Sequence, residues 1–258
     1  MSDFWGISKN LIWDKFKLMN WVLIIDAIAI VVIFFINLFK MGYTSFEFIP
    51  VIFAISLMIV NLVSIILLSR TNERVLTSSN YRLIPISDTK LYLSNILTTF
   101  LATVYLWIVE TIINVVMDLI AMAINYSKYT QFREQISSSD ILAGFQFLLF
   151  MALATIVVWS GITLIHFIIN LVSGFLPFGR QKFVLFLVYL VVIGLSLWGF
   201  NYIMVNIISA FFQSGFEINT VKQVTSSLWI GSGIACIWIV IFSVINIYLM
   251  KRWIETVR

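Results

Sequence analysis

Six stretches of this chain run apolar for more than twenty residues: 19–39, 48–69, 95–124, 142–173, 183–212 and 227–250. A helix rises 1.5 Å per residue, so about 20 such residues cross the roughly 30 Å hydrocarbon core of a bilayer. The runs are continuously apolar rather than alternating, which argues for helices and against the strands of a closed barrel. Composition agrees. Hydrophobic residues make up 61% of the chain and charged residues 11%, where a soluble domain is about half apolar and roughly a quarter charged. The expected fold is an all-α integral membrane protein with six transmembrane helices. The third, fourth and fifth runs exceed one crossing and must tilt, extend past the headgroups or break.

With 258 residues, six spans leave no room for a separate soluble catalytic domain, and the chain reads as one membrane domain, 1–258, without a long linker or internal repeat. The first run follows a charged segment and is too long for the apolar core of a signal peptide, so it reads as a retained span. Cys236 is the sole cysteine, excluding an internal disulfide and any multi-cysteine metal site. Six spans put both termini on one side. That side carries Lys9, Lys15, Lys17, Arg70, Arg74, Arg82, Lys90, Arg180, Lys182, Lys251, Arg252 and Arg258, against Lys40, Lys128, Arg133 and Lys222 on the other. Positive charge gathers on the cytoplasmic side of membrane proteins, so the termini and the 70–94 and 174–182 loops are expected in the cytosol. The net charge of +4 then reflects topology and calls for no nucleic-acid partner. In segment 2–17, Phe4, Trp5, Ile7, Leu11, Ile12 and Phe16 share one broad helical face opposite Lys9, Asn10, Asp14 and Lys17. That pattern predicts an amphipathic helix lying in the cytoplasmic interface.

The chain has no G-x-x-x-x-G-K-[ST], H-E-x-x-H or G-x-S-x-G motif. His166 is the only histidine and lacks a second His or Cys for zinc. Ser160 and Ser173 lie near it in sequence, but nothing orients a dyad. A non-catalytic chain without metal is therefore expected. Three acids interrupt the apolar runs: Asp26, Glu110 and Asp118. A charge at the bilayer centre costs about 2.5 kcal/mol or more, so such groups face protein or a water path. Glu110, Asn114 and Asp118 recur every four residues and share a helical face, with Thr103 and Trp107 beside it. Ser160, Thr163, His166, Asn170 and Ser173 form a second polar stripe. Both stripes suit either a substrate route or hydrogen bonds between helices. A self-contained carrier or channel using the acids is one reading. The broken helices common in carriers are not expected, because Pro50, Pro85 and Pro177 sit at span ends or in loops.

The stretch TNERVLTSSNYRLIPISDTKLYLSN, residues 71–95, parses as a helical exit, a short segment through Tyr81–Ile84, a break at Pro85, and a helix start capped by Ser87 or Asp88. Its apolar knobs between charges suit docking into a groove of a soluble partner, and equally a fold back onto the bundle. Glu73-Arg74-x-Leu76 followed by Leu83-Ile84-Pro85-Ile86-Ser87-x-x-Lys90-x-Tyr92-x-Ser94 resembles the loop after the second span in bacterial ABC-transporter permeases of the type-2 exporter family. The usual form there is roughly E-R-x-L…L-P-I-S-x-x-K-x-x-x-S-K, so Ile84 is an insertion and Asn95 stands where lysine is common. The resemblance implies a coupling helix that enters a separate ATPase subunit, with docking on Arg74, Tyr81, Arg82, Leu83, Pro85 and Lys90, and a second contact at Phe178, Arg180 and Lys182. It further implies two cytoplasmic ATPase subunits that bind ATP and Mg, a second permease copy or paralogue, and a place in the bacterial plasma membrane. The substrate route would involve Glu110, Asn114, Asp118, Thr163 and Asn170. The abundance of Phe and Trp suits an amphipathic or hydrophobic cargo such as a peptide, lipid or drug.

Overall fold

The computed structural model describes residues 4–41, 49–78, 81, 84, 86–124, 138–175, 182–211 and 221–252. Six long helices make up nearly all of them: α1 (Phe4–Met41), α2 (Ile49–Thr77), α3 (Asp88–Ile124), α4 (Ser138–Phe175), α5 (Lys182–Phe211) and α6 (Val221–Arg252). All six are long and apolar enough to cross a bilayer, and the chain is a multi-pass membrane protein by this measure. Their outer faces carry exposed aliphatic and aromatic side chains such as Ile25, Val31, Leu148, Leu190 and Val244. That is the surface hydrocarbon requires and water penalises.

Two sequence expectations change in detail, and one alternative that the sequence left open is narrowed. Residues 4–17 are not a separate interfacial element; they continue without a break into the first span as the 38-residue α1. No Gly or Pro lies between Ile7 and Met41 to end the helix. Ile7, Ser8, Leu11, Lys15, Met19 and Val22 form one continuous buried stripe across the expected boundary. Trp5 and Trp13 stay exposed. Second, the long third, fourth and fifth runs do not break: α3, α4 and α5 are unbroken at 37, 38 and 30 residues. At 1.5 Å per residue α3 is about 55 Å long and exceeds a perpendicular crossing. Third, the expected 70–94 loop is shortened at both ends, because α2 runs to Thr77 and α3 begins at Asp88. Ser87 caps α3: its carbonyl accepts from Leu91 N–H at 3.0 Å and its hydroxyl from Lys90 N–H at 3.4 Å.

The chain divides into two compact units, Met1–Val75 with Leu83–Ile136, and Leu76–Arg82 with Ser137–Arg258. In the first, α1 and α3 pack closely and run parallel, since Ser8 meets Ser94 and Asn20 meets Tyr105 at nearly constant offset. There α2 runs antiparallel to α3, pairing Asn72 with Asn95 and Asn61 with Glu110. It stands further off than α1 does, and polar side chains bridge the gap.

The second unit repeats the plan with different contacts. Its first and third helices, α4 and α6, pack closely and run parallel. An alanine methyl built at Gly231 of α6 would lie 3.0 Å from the Phe150 ring of α4, and one at Gly161 of α4 would lie 3.4 Å from the Phe242 ring of α6. Each glycine therefore receives a ring from the opposite helix. Close approach through small residues is how helices associate where burial of apolar surface offers no advantage over lipid. Asn246 Nδ2 adds a bond to the Ser160 carbonyl at 2.8 Å.

Candidate functional site: a polar seam among the first three helices

Lys15 is fully buried on α1. A bare ammonium in an apolar interior is prohibitively costly, so its place has to be made by acceptors. Its Nζ donates to the Asn95 carbonyl at 2.8 Å, Asn95 Oδ1 at 2.8 Å, Thr98 Oγ1 at 2.9 Å and Thr99 Oγ1 at 2.7 Å. All four oxygens are neutral and come from one turn of α3, where a four-residue repeat faces Asn95, Thr98 and Thr99 toward α1. The hydroxyls remain free to accept because each donates elsewhere: Thr98 to the Ser94 carbonyl at 2.8 Å, Thr99 to Asn72 Oδ1 at 2.5 Å. Asn95 Nδ2 donates to the Asn72 carbonyl of α2 at 3.2 Å. One amine thus joins three helices.

A second cluster lies four turns along α3. Glu110 is buried, and both carboxylate oxygens accept from Asn61 Nδ2 of α2, at 3.2 and 3.1 Å. Asn61 Oδ1 accepts from Trp107 Nε1 at 3.0 Å, and Asn61 Nδ2 also bonds the Leu57 carbonyl at 2.9 Å. Asp26 of α1 accepts from Ser56 of α2 and lies near enough to Glu110 to interact with it electrostatically. Two carboxyls from different helices therefore lie within electrostatic reach of each other, each held by an α2 side chain.

Between the two clusters the same seam continues. Ser64 Oγ, Thr103 Oγ1 and Asn72 Nδ2 are buried without a hydrogen-bond partner among the described residues. Their residues are 2%, 4% and 1% exposed. In the first unit, these are all the buried side-chain polar atoms in that condition among the described residues, and all lie on α2 or α3. The antiparallel register set by the Asn61–Glu110, Asn61–Trp107 and Asn72–Asn95 bonds puts Ser64 within about a turn of Thr103. An unsatisfied buried group costs about 1–3 kcal/mol, so three in one seam is a concentrated expense.

Of the sequence-predicted route residues, Glu110 sits in the seam and Asn114 is half-buried beside it, donating to the Glu110 carbonyl at 2.9 Å. Asp118 lies on α3, and its side chain is outside the described residues. Thr163, buried, and Asn170, half-buried, lie on α4 of the second unit. There Ser160 and Ser173 donate to carbonyls of their own helix at 2.9 and 3.0 Å. Among the docking residues, Arg74 is exposed on the last turn of α2 and Lys90 is exposed on the first turn of α3. Tyr81, between them in sequence, is half-buried. Arg82, Leu83, Pro85, Phe178 and Arg180 lie outside the described residues.

Lys15, Asn61, Ser64, Asn72, Asn95, Thr98 and Thr99 escaped the sequence reading. A signal was present: Asn61, Ser64, Ser69 and Asn72 recur on one side of α2, as Asn95, Thr99, Thr103 and Glu110 do on α3. Asn95 is the residue that receives the Lys15 amine.

In the second unit a cleft of about 460 Å³ lies among α4, α5 and α6. Its lining, including Phe150, Phe200, Met204, Leu228, Ile234 and Trp238, is almost wholly apolar. Among the described residues no three His, Cys, Asp or Glu side chains gather as metal ligands. No protein-family model, curated protein or solved structure matches the chain.

Proposed function

We propose that the chain is the transmembrane permease subunit of an ATP-driven exporter of the type-2 ABC class. It sits in a bacterial plasma membrane with its termini cytoplasmic and works with two ATPase subunits and a second permease copy. The observation that carries this reading is the Glu73–Ser94 motif together with what anchors it. The motif's loop joins α2 to α3, and within two turns of it Asn72 and Asn95 are tied to each other and to α1 through Lys15. A push on the loop therefore reaches three helices together, which is what a coupling element requires. The apolar cleft beside α4 suits the hydrophobic part of an amphipathic cargo. ATP and Mg belong to the partner ATPase. The test is association and transport in the Arg82→Glu, Leu83→Asp double variant. Loss of the ATPase from the purified complex, with the chain still folded, is the expected result; unchanged association and transport would sink the proposal.

A second reading has its own support. The approach of Asp26 to Glu110 across α1 and α3 suits a carrier in which the acids handle an ion. Transport by the purified chain alone, without ATP or a partner, decides in its favour.

A further inference from the structure

We propose that the α2–α3 seam binds a file of water and that this file carries protons between the Lys15 amine and the Glu110 carboxyl. The inference rests on the second reading, that the acid pair handles an ion, and it names the ion and its route.

The seam has the polar groups a water file needs. A buried water makes two to four hydrogen bonds to groups the protein leaves unpaired. Ser64 Oγ, Thr103 Oγ1 and Asn72 Nδ2 are three such groups, buried on the facing helices. Register brings Ser64 and Thr103 within about a turn of each other. The α2 and α3 backbones stand further apart than those of α1 and α3. Both ends finish in groups that exchange protons. At one end, Thr99 Oγ1 contacts the Lys15 amine at 2.7 Å and Asn72 Oδ1 at 2.5 Å. At the other, Glu110 offers two oxygens held only by Asn61 Nδ2 among the described residues. Asp26 is the further carboxyl there. From Asn95 to Glu110 the path covers fifteen residues of α3, about 22 Å at 1.5 Å per residue. That is most of the roughly 30 Å hydrocarbon thickness.

The transfer balances without any other reagent. The ammonium of Lys15 releases one proton to the Thr99 hydroxyl as that hydroxyl turns its own proton from Asn72 Oδ1 to the adjoining water. Each water hands on a proton in turn, past Ser64 and Thr103, until a Glu110 oxygen holds one. Ammonium becomes amine, carboxylate becomes carboxylic acid, and the seam keeps its net charge while one positive charge moves along the bundle.

The experiment uses the purified full-length chain in liposomes with an internal pH-sensitive dye and an imposed pH gradient, with empty liposomes as baseline. Proton entry above that baseline is expected, cut at least tenfold by Glu110→Gln and by the Ser64→Ala, Thr103→Val double variant. Thr111→Val, an exposed position whose hydroxyl bonds only its own helix, should leave entry unchanged. Wild-type entry at the empty-liposome level overturns the proposal. So does full entry in the double variant. Melting in detergent supplies a readout that needs no transport. If the seam is wet, removing the two hydroxyls takes away water ligands and lowers the Tm; if it is dry, removing two unsatisfied groups raises it, and a raised Tm overturns the proposal. If Na or K ions cross instead, with the double variant as active as wild type, the acid pair still handles an ion but the water file is wrong.

Discussion

The Lys15 amine lies 2.8 Å from both the backbone carbonyl and the side-chain oxygen of Asn95, eighty residues along the chain. Thr98 and Thr99 complete four neutral oxygens around one point charge. An ammonium has three donors and a compact charge, which this cradle matches; a guanidinium is broad and planar, with five donors in a fixed fork.

Lys15→Met should therefore lower stability by about 2–4 kcal/mol, because it strands buried acceptors as well as deleting bonds. Lys15→Arg should cost nearly as much despite keeping the charge. Thermal unfolding in one detergent checks both. Partial recovery of Lys15→Ala on adding a short alkylamine, and none on adding guanidinium, is the expected chemical signature.

Asn61 and Glu110 should behave as a coupled pair. In a double-mutant cycle of Asn61→Ala and Glu110→Ala, each single change leaves the other group buried without its partner. The double change should cost less than the sum by about 1–2 kcal/mol. Strict additivity would show that the two contacts at 3.1 and 3.2 Å contribute nothing to stability.

The reciprocal glycine–phenylalanine contacts should differ in tolerance. Gly161→Ala adds a methyl in ordinary contact with Phe242 at 3.4 Å and gains helix propensity of up to about 1 kcal/mol. It should be neutral or stabilising. Gly231→Leu has to displace the Phe150 ring, already 3.0 Å from a single methyl. It should lower stability by about 1–3 kcal/mol and shrink the adjoining cleft, read by loss of binding of an apolar fluorescent probe.

Topology within the first unit is open to labelling. In a Cys236→Ser background, single cysteines at Lys9, Arg74 and Lys90 should react with an impermeant maleimide from one side of the membrane. The parallel run of α1 and α3 brings their starts level with the end of α2. The positive-inside rule predicts that this side is the cytosol. Labelling of Lys9→Cys from the opposite side to Lys90→Cys would contradict the register.

The six helices were legible in the sequence because each carries its own evidence: an unbroken apolar run needs no knowledge of its neighbours. Glu110 was legible for a similar reason, since one acid in an apolar span stands out. Lys15 was not. In a segment with Lys9, Asp14 and Lys17 it reads as one more interfacial charge, and its burial depends on oxygens contributed by residues 95–99. Ser56, Asn61 and Asn72 were hidden because single small polar residues are common in spans and acquire meaning only through a partner.

By itself, then, the sequence determined a helical membrane protein with six crossings, intramembrane acids, and a loop that resembles an ATPase-docking element. Each follows from local hydropathy, charge or a contiguous motif. Tertiary structure alone decided that the amphipathic start belongs to α1, that α1 and α3 run parallel with α2 between them in sequence, and that Lys15, Asn72 and Glu110 belong to one seam. Hydropathy along a chain records how each residue partitions between water and lipid. Which buried oxygen meets which buried amine depends on helix register, set by packing between segments far apart in sequence.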